Sequence, residues 1–388
     1  MKVIVFVGGR ADLGPLAPVI DSMTRRPGFD VRVVTALTFD AASLRAELSA
    51  HGVAAAVQVA AVGPLLDGDQ AENLVACGAR VSEGISACLS EQADVLVVLG
   101  DRWELPFVVM PAVLFGVPVV HLHGGEVTEG AIDERVRHAV TKLADVHCVA
   151  SKDAAARLRQ LGEEPASIHV TGAPGLDRYR KTHPASEREL AAILGRAVAR
   201  PLALFTYHSV TTEPVDAVAQ NAAAALRAAA GVASQVLVTH PGPDSGRDAV
   251  LTAITEVAAQ LDNVVVVPSL GSRYPPILAA CDIVVGNSSS GVIEAAAVGI
   301  PAVDIGRRQT GRLRGANVLH AEDGLTPVAD ALRRGLDPSF ARSWGHLINP
   351  YGDGKAADGI ADVIASAGGP PRRKRFLDTE FRTSKEYR

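Results

Sequence analysis

Short, almost unbroken apolar runs recur along this chain with helical stretches between them, and they constrain the fold more than any other feature. KVIVFVG, VRVVTAL, DVLVVLG, VPVVHLHG, VHCVAS and IHVTG lie in the first half; LALFTYH, QVLVTHP, NVVVVPSLG, DIVVGNSS and IPAVDIG follow in the second. A strand with one wet face alternates apolar and polar residues, whereas a strand covered on both faces need not. The runs therefore predict parallel strands sandwiched between helices, an α/β architecture, with helices expected over 131–144, 214–230, 246–260 and 290–298. Aromatic residues are only 4% of the chain, so alanine, valine and leucine must do most of the packing.

A chain of 388 residues exceeds what one hydrophobic core usually organises, which points to two domains. The strand series breaks at YRKTHPASERELAAILGRAVAR, residues 179–200, a charged and strand-poor stretch that reads as a hinge. The expected division is an N-terminal Rossmann-like domain over 1–180 and a second over 181–365. A basic tail, 366–388, contains PRRKRF and is expected to pack back on the first domain.

The formal charge of −5 gives no general attraction to nucleic acid. The four cysteines lack C-x-x-C spacing, which excludes a disulfide scaffold and a thiolate metal site. No apolar segment approaches the roughly 20 residues of a membrane span, and the first residues do not read as a signal peptide. A cytoplasmic location is the expectation.

Open parallel sheets bind ligands at the carboxyl ends of their strands, so the polar residues that follow the apolar runs are the functional candidates. VFVGGRADLGPL departs from the dinucleotide fingerprint and places Arg10 in the turn, which suits a phosphate or a surface position. LVVLGDRWELP puts Asp101 at a strand end, as an acid, a base or a helix cap. Glu104 reads as its partner in a capping box. HLHGGEVTEGAIDERVRH sets His121, His123 and Glu126 behind a strand, with Asp133 in the helix that follows. Two histidines and an acid contain the elements of a metal site, but no second ligand pair at suitable spacing accompanies them, so no metal is expected. His121 reads instead as a histidine bonded to its neighbours.

In the second half, LFTYHSVTTEP places His208 at a strand end, and VTHPGPDSGRD offers His240 and Asp244 in a neighbouring loop. VVGNSSSGVIEAAAVG leads from a strand into a helix, where the N–H groups of Ser289, Ser290 and Gly291 are candidates for phosphate oxygens. Glu294 lies one turn further on, placed to accept from a ribose diol. DIGRRQTGR adds Arg308 and Arg312 near the same mouth.

The segments GGRADLGPL, VLGDRWE, HGGEVTEGAIDERVRHAVTKLADVH, TGAPGLD, HSVTTEP, GNSSSGVIEA, GRRQTGR and NPYGDGKA, in this order, resemble the UDP-N-acetylglucosamine 2-epimerase family and its hydrolysing branch. The resemblance spans nearly the whole chain. It implies a GT-B fold, with two Rossmann-like domains whose parallel sheets face an interdomain cleft. UDP would be held largely by the second domain, no cofactor would be needed, and the assembly would be a homodimer or homotetramer. The implied activity converts UDP-N-acetylglucosamine and water to N-acetylmannosamine and UDP. Position by position, Asp101 and Asp133 match the family's catalytic carboxylates and His208 the histidine near the leaving group. Ser289, Ser290 and Glu294 match the UDP-binding segment, with Arg10 and Arg312 matching more loosely. Several hydrolysing members have glutamate where this chain has His123. The pair His123 and Glu126 is more similar to enzymes acting on UDP-2,4-diacetamido-2,4,6-trideoxy-glucose, which also makes Glu126 a candidate base. A GT-B glycosyltransferase and a non-catalytic UDP-sugar sensor are the readings from other classes.

Overall fold

The computed structural model describes residues 1–54, 56–68, 70–128, 132–210, 212–242, 246–369 and 374–378. Its first sheet contains β1 (Lys2–Val7), β2 (Asp30–Leu37), β3 (Gln58–Leu65), β4 (Val95–Leu99), β5 (Val119–Leu122), β6 (Val146–Val149) and β7 (Ile168–Val170). All pairs are parallel, in the order β3-β2-β1-β4-β5-β6-β7. The second sheet contains β8 (Leu202–Thr206), β9 (Gln235–Thr239), β10 (Val264–Val267), β11 (Ile283–Gly286), β12 (Ala302–Ile305) and β13 (Val318–Ala321). It is also wholly parallel, in the order β10-β9-β8-β11-β12-β13.

The unbroken apolar runs have the predicted cause. Along β1, Val3, Val5 and Val7 pack into one core while Ile4 and Phe6 pack into another on the opposite face, as the two-residue strand period requires. Two strands escape the apolar-run criterion, β3 and β13, and both are sheet edges. In β3, QVAAVGPL, only one residue is fully buried, so its pattern lacks the continuous apolar stretch of an inner strand. The helix expected over 290–298 is two short ones, Ser289–Ile293 and Ala295–Val298, meeting at Glu294. Among the described residues, no helix is long and apolar enough to cross a membrane.

The chain divides into two compact units. One is Met1–Glu126, Ile132–Asp177 and Gly354–Arg388; the other is Val127–Ala131 and Arg178–Asp353. The change of unit after Asp177 lies inside the 3-10 turn Pro174–Lys181, just ahead of the charged stretch, whose residues 187–194 form a helix of the second unit. The boundary expected at 365 differs more. The helix Ala356–Ala367 belongs to the first unit, where Ala357, Ile360, Ala361 and Ile364 join the core beneath β1.

Three polar contacts anchor that helix. Ser22 donates to Asp358 at 2.6 Å, Arg26 pairs with Asp362 at 2.5 Å, and the Asp177 carboxylate accepts the N–H groups of Ala356 and Ala357 at 2.9 and 2.7 Å. A carboxylate at a helix start satisfies otherwise unpaired N–H donors and suits the helix dipole. Burial of Ile360 and Ile364 contributes about 1.5–3 kcal/mol each. Nothing local in the sequence marks this return, because the partner surface is more than 300 residues away.

In a parallel sheet the reversal of strand order leaves a crevice at the carboxyl ends. Here the reversals fall between β1 and β4, and between β8 and β11. Asp101 follows β4 and His208 follows β8, so topology places both at such points.

Candidate active site

In the first unit the strand-end carboxylates are organised by two arginines. Arg137, on the helix Ile132–Leu143, is only 2% exposed although it is a charged side chain. Its guanidinium pairs with Asp101, donates to the backbone oxygen of Glu126 at 2.7 Å, and donates to Glu134 at 2.9 Å. Glu134 also lies 3.2 Å from His138, one turn along the same helix. A buried ion is tolerated when it is paired and its donors are used. Asp101 therefore serves as a partner of Arg137, not as a helix cap. The helix Leu105–Phe115 begins at Glu104 without a side-chain cap, so the expected capping box does not form.

The second arginine is Arg102. Its Nε donates to Glu104 at 2.5 Å, and Glu104 is fully buried. Burial works against the Arg102 charge, but Glu104, Asp12 and Asp133 outweigh it and raise the guanidinium pKa. Asp12 accepts the N–H groups of Gly8 and Gly9, each at 2.9 Å. Burial pushes Asp12 up to about 6, against the pull of Arg102 and those two N–H bonds. The glycines have a steric reason. A Cβ on Gly8 would stand 2.2 Å from Glu104 Oε1, and one on Gly9 would stand 2.7 Å from an Arg102 nitrogen. The arginine packed on this turn is thus Arg102, while Arg10 is exposed at the start of the helix Arg10–Thr24.

His121 and His123, two residues apart in HLHGGE, part company. His121 lies inside β5 and is completely buried, donating from Nε2 to Gly100 O at 2.8 Å, with Nδ1 3.3 Å from the Thr141 hydroxyl. Burial holds its pKa down at about 3, so it is neutral and fixes the turn before Asp101. β5 ends at Leu122, and His123 turns to φ +62, a left-handed conformation that costs a non-glycine residue about 1–3 kcal/mol. The turn brings His123 Nδ1 onto the Glu126 carboxylate and leaves its Nε2 buried without a hydrogen-bond partner.

In the second unit the corresponding strand ends are joined chiefly by uncharged groups. Asn287, fully buried after β11, accepts the His208 N–H at 2.6 Å and donates to the His208 carbonyl at 2.9 Å. Its own carbonyl accepts from Gln309 at 2.9 Å and Arg308 at 3.3 Å. His208 Nδ1 accepts the Gly242 N–H at 2.9 Å, which leaves the ring hydrogen on Nε2. Burial, assisted by Arg308, lowers its pKa to about 3. The ring is a neutral donor. His240 follows β9 on the same loop as Gly242, and its pKa is lowered by burial and by Arg247. Asp244 lies outside the described residues.

The serine segment is arranged differently from the expectation. Ser288 caps the short helix, its hydroxyl accepting the Ser290 N–H at 3.3 Å, and its carbonyl accepts the Gly291 N–H at 3.3 Å. The N–H groups of Ser290 and Gly291 are thereby engaged within the turn. The Ser290 hydroxyl lies 2.5 Å from the Tyr274 hydroxyl. Glu294 pairs with Arg178 at 2.8 Å, and Arg178 also bonds the Tyr179 hydroxyl at 3.2 Å. Arg312 is half-buried in the loop after β12, beyond Arg308.

The structure thus brings Asp101, Glu126 and Asp133 onto one arginine-braced edge of the first unit. It gathers His208, Asn287, Arg308 and the Gly242 loop in the second. Arg102, Arg137 and Asn287 were missed as organisers. Their signals were present: arginines beside strand-end acids, and an asparagine ahead of the serines.

The chain matches the model of the UDP-N-acetylglucosamine 2-epimerase family over residues 22–365. A relative from Legionella pneumophila, named as a hydrolysing UDP-N,N'-diacetylbacillosamine 2-epimerase, is 30% identical over 361 residues, 92% of this chain and 93% of that protein. A UDP-N-acetylglucosamine 2-epimerase from Neisseria meningitidis is 26% identical over 343 residues, 86% of this chain and 87% of the other. Among solved structures, a Neisseria meningitidis UDP-GlcNAc 2-epimerase bound to UDP-GlcNAc shares the fold with a TM-score of 0.75 at 17% identity, covering 94% of this chain and 100% of that one. With the family model spanning both sheets, the chain belongs to the UDP-N-acetylglucosamine 2-epimerase family.

Proposed function

We propose that the protein is a hydrolysing 2-epimerase of a UDP-2-acetamido sugar, releasing UDP and the free sugar inverted at C2. The observation that carries this reading is the set Asp101, Glu126 and Asp133 on an edge braced by Arg102 and Arg137. The C2 proton of such a sugar is barely acidic, so its removal must be coupled to departure of UDP from C1. In an anti elimination, the C2–H electron pair becomes the C1–C2 double bond of a 2-acetamidoglucal, and UDP leaves with the C1–O pair. Water then adds at C1 while a proton returns to C2 on the opposite face. Substrate and water become UDP and epimerised sugar, with no redox change and no cofactor.

Proton transfer at both faces needs two groups within hydrogen-bond reach, and we assign these among Asp101, Glu126 and Asp133. His123 sits on the sugar side through its unpartnered Nε2. His208 donates from Nε2 to the diphosphate as a neutral group. Arg308, Arg312, His240 and the segment Ser289, Ser290 and Gly291 complete the diphosphate site. A phosphate oxygen would replace the long N–H bonds now made to Ser288. Glu294, oriented by Arg178, accepts from the ribose.

For the substrate we favour UDP-2,4-diacetamido-2,4,6-trideoxy-glucose, supported by the His123–Glu126 pair and by the name of the Legionella relative. UDP-N-acetylglucosamine is the second reading, supported by the Neisseria relative. Incubation with each UDP-sugar in D₂O, followed by NMR, tests both. The expected product is free sugar, inverted and deuterated at C2, together with UDP. Protium retained at C2 sinks the elimination, and sugar found only on an acceptor indicates a glycosyltransferase.

A further inference from the structure

Residues 374–378 take no part in the chemistry assigned above, yet they hold the far end of the helix that carries Asp133 and Arg137. The Lys374 ammonium donates to Thr141 O at 3.0 Å and to Ala144 O, and it pairs with Glu163 at 2.7 Å. The last carbonyls of a helix lack intrahelical partners and favour a cation. Glu163 is 3% exposed and also meets Lys142 at 2.6 Å and His147 at 3.0 Å. Apolar burial does not explain the docking, because Phe376 is 64% exposed and Leu377 38%. The anchor is Lys374, helped by the Leu377 N–H on Gly162 O at 3.0 Å and by Lys142 5.0 Å from the Phe376 ring centroid.

From this clamp a continuous path leads to the site. Thr141 bonds Lys374 through its carbonyl and approaches His121 through its hydroxyl. His121 donates to Gly100, whose φ of +79 makes the turn that presents Asp101. Arg137, one turn before Thr141 on the same helix, holds the Asp101 carboxylate. We propose that Lys374 is a positioning residue for this site, clamping the end of the helix Ile132–Leu143 so that Thr141 and His121 hold the Gly100–Asp101 turn. The charge of Lys374 then serves this protein's own site. The kinetic part of the inference rests on the proposed epimerase reading; the structural part does not.

Full-length Lys374→Met keeps the aliphatic stem and removes the charge. Amide hydrogen exchange of the unliganded protein should rise about tenfold in residues 95–103 and 132–144, with residues 202–206 and 283–286 of the second unit unchanged. For the active enzyme, kcat should fall about 10–100-fold with KM within about twofold, because a small misplacement of a reacting group is costly. Thr141→Val added to Lys374→Met should cost less than it costs alone, since both lie on one path. Exchange unchanged in residues 95–103 overturns the proposal, as does a raised KM with unchanged kcat. If the wild type releases no epimerised sugar, the epimerase reading fails, and the exchange measurement still decides the role of Lys374.

Discussion

The two units share one architecture but fasten their strand-end loops by different means. At the β1/β4 reversal the fastening is ionic: Arg102 with Glu104 and Asp12, Arg137 with Asp101 and Glu134. At the β8/β11 reversal it is neutral: Asn287 to the His208 backbone, Gln309 to Asn287, Gly242 to the His208 ring. Cations beside carboxylates orient them and tune their protonation. Uncharged scaffolding leaves the positive charge of this loop to its arginines, of which Arg308 also donates to the Asn287 carbonyl. The histidines repeat the contrast within a shared state. His121 and His208 are both neutral through burial, yet His121 spends its Nε2 hydrogen on Gly100, and His208 keeps its own to offer.

This division of labour can be broken experimentally. The largest expected effect is on turnover: Asp101→Asn, Glu126→Gln and Asp133→Asn remove carboxylates of the ionic site. Loss of either proton-handling group should lower kcat by about 10²–10⁴-fold while UDP affinity, measured by calorimetry, stays near wild type. Near-wild-type turnover in all three variants would end the assignment. Next, Arg137→Met strands Asp101 and Glu134 without their common cation and should destabilise the fold by about 3–5 kcal/mol in denaturant titrations. A cost below about 1 kcal/mol, the value of an exposed pair, would mean that the charges do not organise this edge.

A pH experiment sharpens the same point. Asp12 titrates at about 6 in the folded chain against an ordinary 3.8. Its raised pKa favours folding fully below about pH 3.8, where both states hold the proton. That contribution is lost as pH rises towards 6, because the unfolded chain releases its proton first. Wild type should therefore lose about 3 kcal/mol relative to Asp12→Asn between pH 4 and 6 and stay level above that. A stability difference that is flat with pH would mean that Arg102 and the two N–H bonds cancel the effect of burial on Asp12. The smallest effect belongs to the neutral site. Asn287→Ala removes two bonds to the His208 backbone and should cost about 1–3 kcal/mol, with weakened UDP binding and an unchanged pH profile. A pH-dependent loss there would show that this site also depends on charge.

Much of this was legible before any coordinates. Strand-end positions for Asp101, His208 and the 287–290 segment follow from the apolar runs themselves, because loops after parallel strands all open on one edge. Arg10, a candidate by both its motif and the resemblance, is exposed, and the arginine that packs on the glycine turn is Arg102, which follows β4. Ser290 and Gly291 read from the sequence as phosphate donors because they stand at a helix start. The observed five-residue helix has already used those N–H groups on Ser288. His123 could not be placed by strand alternation, since its left-handed turn ends the strand at Leu122.

The sequence by itself determined the two parallel sheets, the order of their inner strands' apolar runs and the family. Burial is written residue by residue, and a doubly covered strand cannot conceal it. Only the tertiary structure decided which charge meets which. Asp101 and Arg137 are 36 residues apart, and Asp177 and Ala356 are 179 apart. An ion pair or a helix cap is set by the meeting of two surfaces, and local periodicity reports only that each side chain is buried, not what it is buried against.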